Sequence, residues 1–592
     1  MNKKLQGIQV TNRINLGDTN TVNVTNTVSG AVAKGKYYRQ QLQPVEGNQG
    51  PYKLNGANGE RFIIIIAGSE RVIIDGEEMK RGQQNDYTID YNSAEVTFNP
   101  SVPISNDMRV YVEFEYTERN YTRFLVADYA EVKTGNTRIW MNVISESDSK
   151  NQPVDQDLNQ EQIDVLASVG DNTDAAVVPN INEQEFDEDI ILYARRDTIV
   201  NGQVFEMYYY SNNPDSAKYR LGFSLVGAQN GNYVQANNLA NGKVYRWVAP
   251  ENGTPQGNYA PVVQLAAPQS QQMVTTGLEV NHSKFSTSRI EVAWSRKDDN
   301  TFSALDQSDD HGLGINYEGQ HRLLGDSLKS FTLQSKYQFV HSNFNPFERF
   351  RRAEFERDWN TRDLQFSANQ HLAGLAVKYK KQKMLDLALG ANQYWVPGSF
   401  NGMQGNGNAL WQNKFFNLKG QISYLRAEND SLKSDFFRSK SALGVPFWKL
   451  EAGMRQELEI NTFVNQQDVL NPASYEFFVY EAYLQNRKMQ GVDAELTANY
   501  RIDHQALGGD MTPKKERRGI SLNTDLHRNA NVKWRLVANY REVRILNDSL
   551  VRVDIPDQHV SARIENRSTI WDGIVRSSTF YEVSTGRSEE HT

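Results

Sequence analysis

The feature that most constrains this chain is a two-residue alternation of apolar and polar side chains that continues over unusually long segments. Residues 448–460 alternate with one exception, and residues 492–502 alternate throughout. The apolar positions of the second segment are Val492, Ala494, Leu496, Ala498, Tyr500 and Ile502. A period of two with one apolar face is typical of an antiparallel β-strand. These segments are therefore predicted to be strands whose two faces meet different surroundings.

The length of these segments separates two classes of β-protein. Strands of soluble sandwiches usually have about 5–6 residues, whereas a tilted strand needs about 9–11 to cross a membrane. Aromatic side chains near the ends of the apolar faces predict an interfacial girdle formed by Trp448, Tyr500, Trp534 and Tyr540. We therefore expect an all-β fold: an antiparallel transmembrane β-barrel, left open or incomplete by truncation, with an inserted small β-sandwich-like module.

Composition excludes several other classes of protein. The longest strongly apolar run is residues 62–67, far below the ~20 residues of a membrane-spanning helix. The net charge of −8 argues against a nucleic-acid-binding protein. The absence of cysteine excludes disulfides, cysteine-ligated metals and thiol catalysis. The mean hydropathy of −0.65 follows from alternating charged and apolar faces and does not exclude a barrel.

Turn signals and changes of pattern divide the chain into predicted parts. These are a barrel hairpin in 1–45, an inserted β-module in 46–118, a second hairpin in 119–145, a long loop with irregular β-structure in 146–272, and the main barrel strands in 273–586. Polar stretches near 340–362, 394–406 and 503–518 are expected to be extracellular loops. Within the irregular region, Asn159 is a candidate N-cap of a short helix that ends before Gly170.

Several segments resemble a family of large outer-membrane β-barrel proteins of the Bacteroidota that has no assigned activity. The matching segments include residues 46–52 (EGNQGPY), 85–92 (NDYTIDYN), 147–153 (SDSKNQP), 247–250 (WVAP) and 578–583 (STFYEV). The resemblance is densest over residues 1–270. It implies an outer-membrane location and further chain on both sides, including a signal peptide before Met1. It implies no functional residues.

The last six residues suggest an origin outside the gene. Residues 587–592 read RSEEHT, which is the translation of a common short-read sequencing adapter. We interpret the chain as an assembled environmental fragment with an artefactual end.

A search for catalytic and metal-binding motifs finds little. The nine histidines form no HxxxH or HExxH spacing. There is neither a phosphate-binding GxxxxGK[ST] loop nor a GxSxG elbow. The adjacent carboxylates Asp309 and Asp310 lie in a segment that reads as a hairpin turn. We therefore expect no enzymatic activity, no cofactor and no metal ion.

One basic and aromatic segment is a candidate surface-binding loop. Its proposed binding residues are Arg349, Arg351, Arg352 and Trp359. Arginine could contact lipopolysaccharide phosphate, and the aromatic ring could stack on a glycan. The competing interpretation is a surface loop whose own cations and carboxylates pair with one another. Four carboxylates are interleaved with the cations: Glu348, Glu354, Glu356 and Asp358.

The sequence as a whole predicts a non-enzymatic outer-membrane β-barrel that serves transport, envelope assembly or surface interaction. The expected partners are outer-membrane lipid or lipopolysaccharide and other envelope proteins, with no nucleic acid. A lid or plug role is a further hypothesis for residues 50–118. The alternative is a soluble or surface-tethered adhesin or glycan-binding protein made of β-sandwiches.

Overall fold

The structure is a computed structural model of the chain. It describes residues 6–16, 22–33, 35–57, 60, 62–117, 121–153, 158–187, 190–236, 243–326, 328–362, 364–486, 491–529, 531–546, 556–570 and 575–585. The RSEEHT segment at 587–592 lies outside these described residues.

Most of the described chain is in strands. The first are β1 (Gln6–Leu16), β2 (Val22–Ala33), β3 (Gly35–Leu42), β4 (Tyr52–Lys53), β5 (Arg71–Ile74), β6 (Glu77–Glu78), β7 (Tyr87–Asp90), β8 (Glu95–Phe98), β9 (Val110–Thr117), β10 (Tyr121–Thr134) and β11 (Thr137–Pro153). Next come α1 (Gln160–Ser168), a 3-10 turn (Thr173–Ala175), β12 (Val177–Pro179), β13 (Ile181–Glu183), β14 (Tyr193–Val200), β15 (Gln203–Tyr210), β16 (Tyr219–Leu221), β17 (Ser224–Leu225), β18 (Tyr233–Ala236), β19 (Val244–Trp247), β20 (Tyr259–Ala260) and β21 (Val262–Gln264).

The remaining elements are longer. They are β22 (Ser270–Ser283), β23 (Ser286–Asp298), β24 (His311–Gly325), β25 (Lys329–Val340), α2 (Phe355–Asp358), β26 (Gln370–Lys381), β27 (Leu385–Val396), β28 (Phe400–Gln412), β29 (Asn417–Asn429), β30 (Leu432–Phe447), β31 (Leu450–Asn465), β32 (Tyr475–Asn486), β33 (Val492–Leu507), β34 (Asp510–Asn529), β35 (Val532–Ile545), β36 (Asp557–Ile570) and β37 (Val575–Thr585). Neither α1 nor α2 is long and apolar enough to cross a membrane.

Twenty of these strands form one large antiparallel sheet. In it β1 pairs with β2, β2 with β10, β10 with β11 and β11 with β22. From β22 onwards each strand pairs with the next along the chain as far as β37. No pairing joins β1 to β37 within the described residues, so the sheet is not closed there. The all-β fold with a large antiparallel sheet is confirmed.

The two faces of the large sheet differ as the alternation predicts. Along β27, Leu387, Leu389 and Ala391 are exposed, whereas the side chains between them are partly covered. Leu389 is 69% exposed, and Met454 on β31 is 61% exposed. The other face carries charged and amide side chains, and parts of it are contacted by residues from the connections between strands. We call these the apolar face and the polar face.

The two ends of the strands carry connections of different length. Strand pairs such as β10–β11, β22–β23 and β30–β31 are joined at one end by two-residue turns. The opposite end carries the long insertions 34–120 and 154–269 and the connection 341–369. We call residues 341–369 the inner segment. All three long pieces therefore leave the sheet at the same end.

Two of the expected extracellular loops are not loops. Residues 394–406 belong to the β27–β28 hairpin, and residues 503–518 to the β33–β34 hairpin. Gly508 and Gly509, with φ of 64° and 96°, form the turn of the second hairpin. Positive φ at both central residues matches the twist of a two-residue hairpin turn. The polar residues near these turns belong to strands, so their polarity does not indicate loops.

The first insertion is a module with its own core. One sheet has the order β3-β9-β5-β6 and the other β4-β8-β7. The module begins at Gly35, ahead of the boundary expected at 46, because β3 pairs with β9 from Gly35–Thr117 to Leu42–Val110. The core between the sheets includes these fully buried side chains: Leu54, Val72, Val96, Ile104, Val112 and Phe114.

The helix predicted in the second insertion is confirmed. The Asn159 side chain accepts a hydrogen bond from the backbone N–H of Gln162, and the Gln162 side chain accepts one from the N–H of Asn159. This reciprocal capping box satisfies two backbone donors at the start of α1. Leu166 is fully buried, and the carbonyl of Leu166 accepts a hydrogen bond from Asn300, so the helix is fixed against the connection between β23 and β24.

Candidate functional site

The inner segment folds against the polar face of the large sheet. Trp359 is 4% exposed and packs in a cluster with Tyr394 on β27 and Phe436 on β30. The Arg357 guanidinium forms an ion pair with Glu459 on β31. These contacts hold the short helix α2 against β27, β30 and β31, so the segment is part of the folded interior.

The module lies against a different part of the same polar face. Asp107 pairs with Arg501 at 2.8 Å and with Lys515 at 3.4 Å, and it also pairs with Arg517. Burial raises the pKa of the Asp107 carboxyl, but the three cations outweigh burial and hold that pKa well below its usual range. The Asp107 carboxylate is therefore charged and balanced by cations from β33 and β34.

A row of cations on the polar face holds the module through its backbone. Arg541 donates to the carbonyl of Ile104 at 2.9 Å and pairs with Glu46 at 3.0 Å. Arg535 donates to the carbonyl of Gln84 at 2.7 Å, and Arg563 donates to that of Gln83 at 2.6 Å. Carbonyl oxygens accept hydrogen bonds from guanidinium forks without adding net charge. The module is thus held by ion pairs and by hydrogen bonds to its backbone carbonyls.

The module and the inner segment also contact each other. Arg109 of the module pairs with Glu354 at 2.8 Å, and Arg349 pairs with the buried Glu113 at 2.6 Å. Arg39 donates to the carbonyl of Ala353 at 3.1 Å. The two pieces therefore form one continuous body on the polar face.

A cavity of about 990 Å³ remains between the inner segment and strands from β22 to β31. Amide side chains line much of its wall: Gln320, Gln334, Gln338, Asn392, Gln404, Asn406, Asn408 and Gln421. Cations contribute part of the remaining polar wall: Arg289, Lys336, Arg351, Arg352, Arg357, Arg438 and Lys440. Its volume falls at the upper end of the ~300–1,000 Å³ typical of ligand sites.

The four residues of the predicted binding loop occupy different environments. Trp359 is buried, Arg349 is bound to Glu113, and Arg351 donates hydrogen bonds to Gln338 and Gln370. Arg352 is exposed to solvent. These side chains lie on an inner segment rather than on a projecting loop. The predicted binding role remains a prediction, and Arg351 and Arg352 both line the cavity.

The four predicted girdle residues lie at two levels of the large sheet. Trp448 is 79% exposed and forms the turn between β30 and β31, with a φ of 50°. Trp534 lies near the start of β35, at the same end of the sheet, and is 43% exposed. Tyr500 and Tyr540 lie further along β33 and β35, and Tyr540 is 36% exposed. Their contact with a membrane interface remains a prediction.

The docking residues of the module were not identified from the sequence. Arg501, Arg535 and Arg541 occupy the polar positions of the alternating segments, and Asp107 lies in a loop of the module. Alternation assigns the arginines to one face, but it does not show which residue lies opposite them. The one available signal was the density of cations on β33–β36.

One group of carboxylates could hold a cation. Oxygens of Asp171, Asp309 and Asp310 lie within 4.8 Å of one another. Burial, together with the nearby carboxylates, raises the pKa of Asp171 to about 6. Arg296 already donates to Asp310 at 3.4 Å, so part of this charge is balanced within the protein.

The chain was compared with protein families, curated proteins and solved structures. A domain of unknown function, DUF8818, matches residues 37–118, which correspond to the module. Among solved structures, OccAB2 of Acinetobacter baumannii is 11% identical, and the alignment covers 78% of this chain and 93% of that chain with a TM-score of 0.27. No curated protein matches the sequence.

Proposed function

We propose that this protein is a non-enzymatic outer-membrane β-barrel protein that admits polar solutes, with the module and the inner segment as its plug. The observation that carries the proposal is the apolar face of the large sheet. Leu389, Met454 and Leu496 are 69%, 61% and 45% exposed on three different strands. A soluble protein rarely exposes an apolar patch larger than a few hundred Å², whereas lipid covers such a face in a barrel.

Two further observations favour a barrel over a surface-tethered adhesin. Strands of the large sheet have 11–20 residues, enough to cross the hydrocarbon layer of a bilayer when tilted. Short turns at one end and long connections at the other are the usual arrangement of outer-membrane barrels. A surface-tethered adhesin remains the alternative, because a domain such as the module could also bind a ligand at the cell surface.

The plug role rests on the contacts of the polar face. Asp107, Glu46 and the carbonyls of residues 83, 84 and 104 all bind cations of the large sheet. A polar lumen filled by a folded insertion blocks free diffusion until that insertion moves or leaves a path. The cavity beside the inner segment would be part of such a path. Lipid on the apolar face and envelope proteins at the long connections are the proposed partners.

Membrane extraction and gel mobility test the proposal together. A folded barrel should remain in membranes after carbonate washing and dissolve only in detergent. The detergent-extracted protein should migrate differently before and after boiling, because strand pairing in a barrel resists detergent at room temperature. Release by carbonate alone, without a mobility shift, would reject the barrel and favour the adhesin.

A further inference from the structure

In the cavity, three cations form no ion pair with a described carboxylate, although Glu318 lies opposite Lys336 across the β24–β25 pairing. Lys336, Arg351 and Arg352 line the cavity, and no described carboxylate lies within ion-pairing distance of any of them. Four carboxylates line the same cavity: Glu279, Glu318, Asp358 and Glu459. The other cations of its wall are engaged: the ion pairs are Arg289–Glu291, Arg357–Glu459, Arg438–Asp358 and Lys440–Glu457. The part of the wall that remains unpaired is therefore positively charged.

Arg351 is the most constrained of the three. Its guanidinium donates to the side-chain oxygens of Gln338 at 2.9 Å and Gln370 at 2.6 Å. Its Nη2 is buried and has no hydrogen-bond partner in the described part of the chain. A buried guanidinium stays charged, so an unmet donor without a counter-charge is costly. The faces of Phe355 and Tyr394 lie 4.2 and 5.3 Å from the Arg351 Cζ and offset part of its charge, and an anion in the cavity would offset the rest.

Lys336 lies in space that a glycine leaves free. A Cβ at Gly374 would lie 2.5 Å from the Cε of Lys336, so a larger residue there would displace the lysine. Across the β24–β25 pairing Lys336 is level with Glu318. The lysine is held along the cavity wall, on the strand that leads directly into the inner segment.

Amide groups extend the site along β27, β28 and β29. The Oδ1 of Asn392 would lie 2.4 Å from a Cβ at Gly374, and the Oδ1 of Asn406 would lie 2.7 Å from one at Gly390. The glycines thus let the amides lie across the neighbouring strand. Each amide offers both donors and an acceptor, the combination that a hydroxyl group uses.

We propose that this cavity binds an acidic saccharide. Its carboxylate or phosphate would meet Arg351, Lys336 and Arg352, and its hydroxyls would meet the amides of Asn392 and Asn406. Charge-assisted hydrogen bonds to arginine are the strong and directional part of such recognition. This inference names the solute class for the proposed function and rests on it for the role of the site in uptake.

Binding to the purified protein in detergent tests the site separately from membrane insertion. Isothermal titration would compare trigalacturonate, maltotriose and inorganic phosphate. Trigalacturonate should bind at least tenfold more tightly than maltotriose, and its affinity should fall as salt is raised. Phosphate alone should bind at least tenfold more weakly, because it offers nothing to the amides. Equal binding of the acidic and neutral sugars, or equal binding of phosphate and trigalacturonate, would overturn the proposal.

Substitutions in the cavity test which side chains bind the acidic saccharide. Lys336→Gln and Arg352→Gln should each weaken trigalacturonate binding about tenfold and leave maltotriose unchanged, since each removes one charge. Lys449→Gln, an exposed lysine in the β30–β31 turn, is the matched control and should have no effect. Loss of acidic-sugar binding in the control, or none in both cavity variants, would contradict the site. A protein that binds trigalacturonate but lacks the heat-dependent mobility shift would keep the site and lose the proposed function.

Discussion

The most informative perturbation is Asp107→Asn, because it removes one charge from the module and keeps the side-chain shape. The Asp107 carboxylate pairs with Arg501 at 2.8 Å and Lys515 at 3.4 Å, and with Arg517. The side chains of Asp107 and Arg501 are 18% and 17% exposed, so both charges are largely removed from water. The substitution removes the counter-charge that three largely buried cations share, while Arg501 keeps its pair with Asp503 at 2.6 Å and Lys515 keeps Glu46 at 3.9 Å.

The expected cost follows from that desolvation. Removing one member of a buried, hydrogen-bonded ion pair costs about 2–5 kcal/mol, much of it from the charge left behind. A loss of about 3 kcal/mol lowers the ratio of docked to undocked module by roughly 100-fold. Because the pKa of Asp107 is lowered in the docked state, its contribution is complete above about pH 4 and weakens only as the pH falls below that value.

Hydrogen–deuterium exchange of the detergent-solubilised protein measures docking directly. In Asp107→Asn, peptides that cover residues 99–109 should exchange faster, whereas the module core at Val72 and Val96 should stay protected. Glu77→Gln, an exposed carboxylate of β6, is the matched control. Unchanged exchange at residues 99–109, or equal acceleration in the control, would refute the argument that the cations on β33 and β34 hold the module.

Three other predictions concern the inner segment and the second insertion. Trp359→Ala should destabilise the inner segment by about 3–5 kcal/mol, because a buried aromatic side chain is removed; unchanged denaturant unfolding would contradict this packing. Asn159→Ala should cost about 1 kcal/mol through the lost cap of α1, seen as faster exchange in residues 160–168; equal protection would contradict it. Asp171 has a pKa raised to about 6, so the protonated carboxyl is favoured in the fold, and stability should fall as the pH rises from about 4 to 6. Asp171→Asn should remove that slope in thermal unfolding curves, and an unchanged slope would assign it to other groups.

Local patterns in the sequence predicted local structure well. The alternation at 492–502 predicts β33, and the combination of Asn159 with Gln162 encodes the cap of α1. Each depends on residues that are near one another in the chain, where period and hydrogen-bond chemistry decide the outcome. The same reasoning failed at 394–406 and 503–518, because polar strand residues that face an interior look like loop residues.

Contacts between residues that are far apart in the sequence could not be predicted in the same way. The sequence predicts Arg349 and Arg351 as residues of a binding loop. Their partners, Glu113 and Gln370, depend on how the inner segment folds back against the sheet and the module. Asp107 lies 394 positions before its partner Arg501 in the sequence numbering. Alternation states which face a cation occupies, and it contains no information about which distant carboxylate reaches that face.

The central claim is that lipid covers the apolar face of the large sheet. The chain has no cysteine, so Leu389→Cys and Ala388→Cys can each carry one fluorophore on neighbouring, oppositely directed positions of β27. In vesicles that contain brominated lipid, the probe at position 389 should be quenched strongly and the probe at position 388 only weakly. Equal quenching at the two positions, or none at position 389, would contradict the claim.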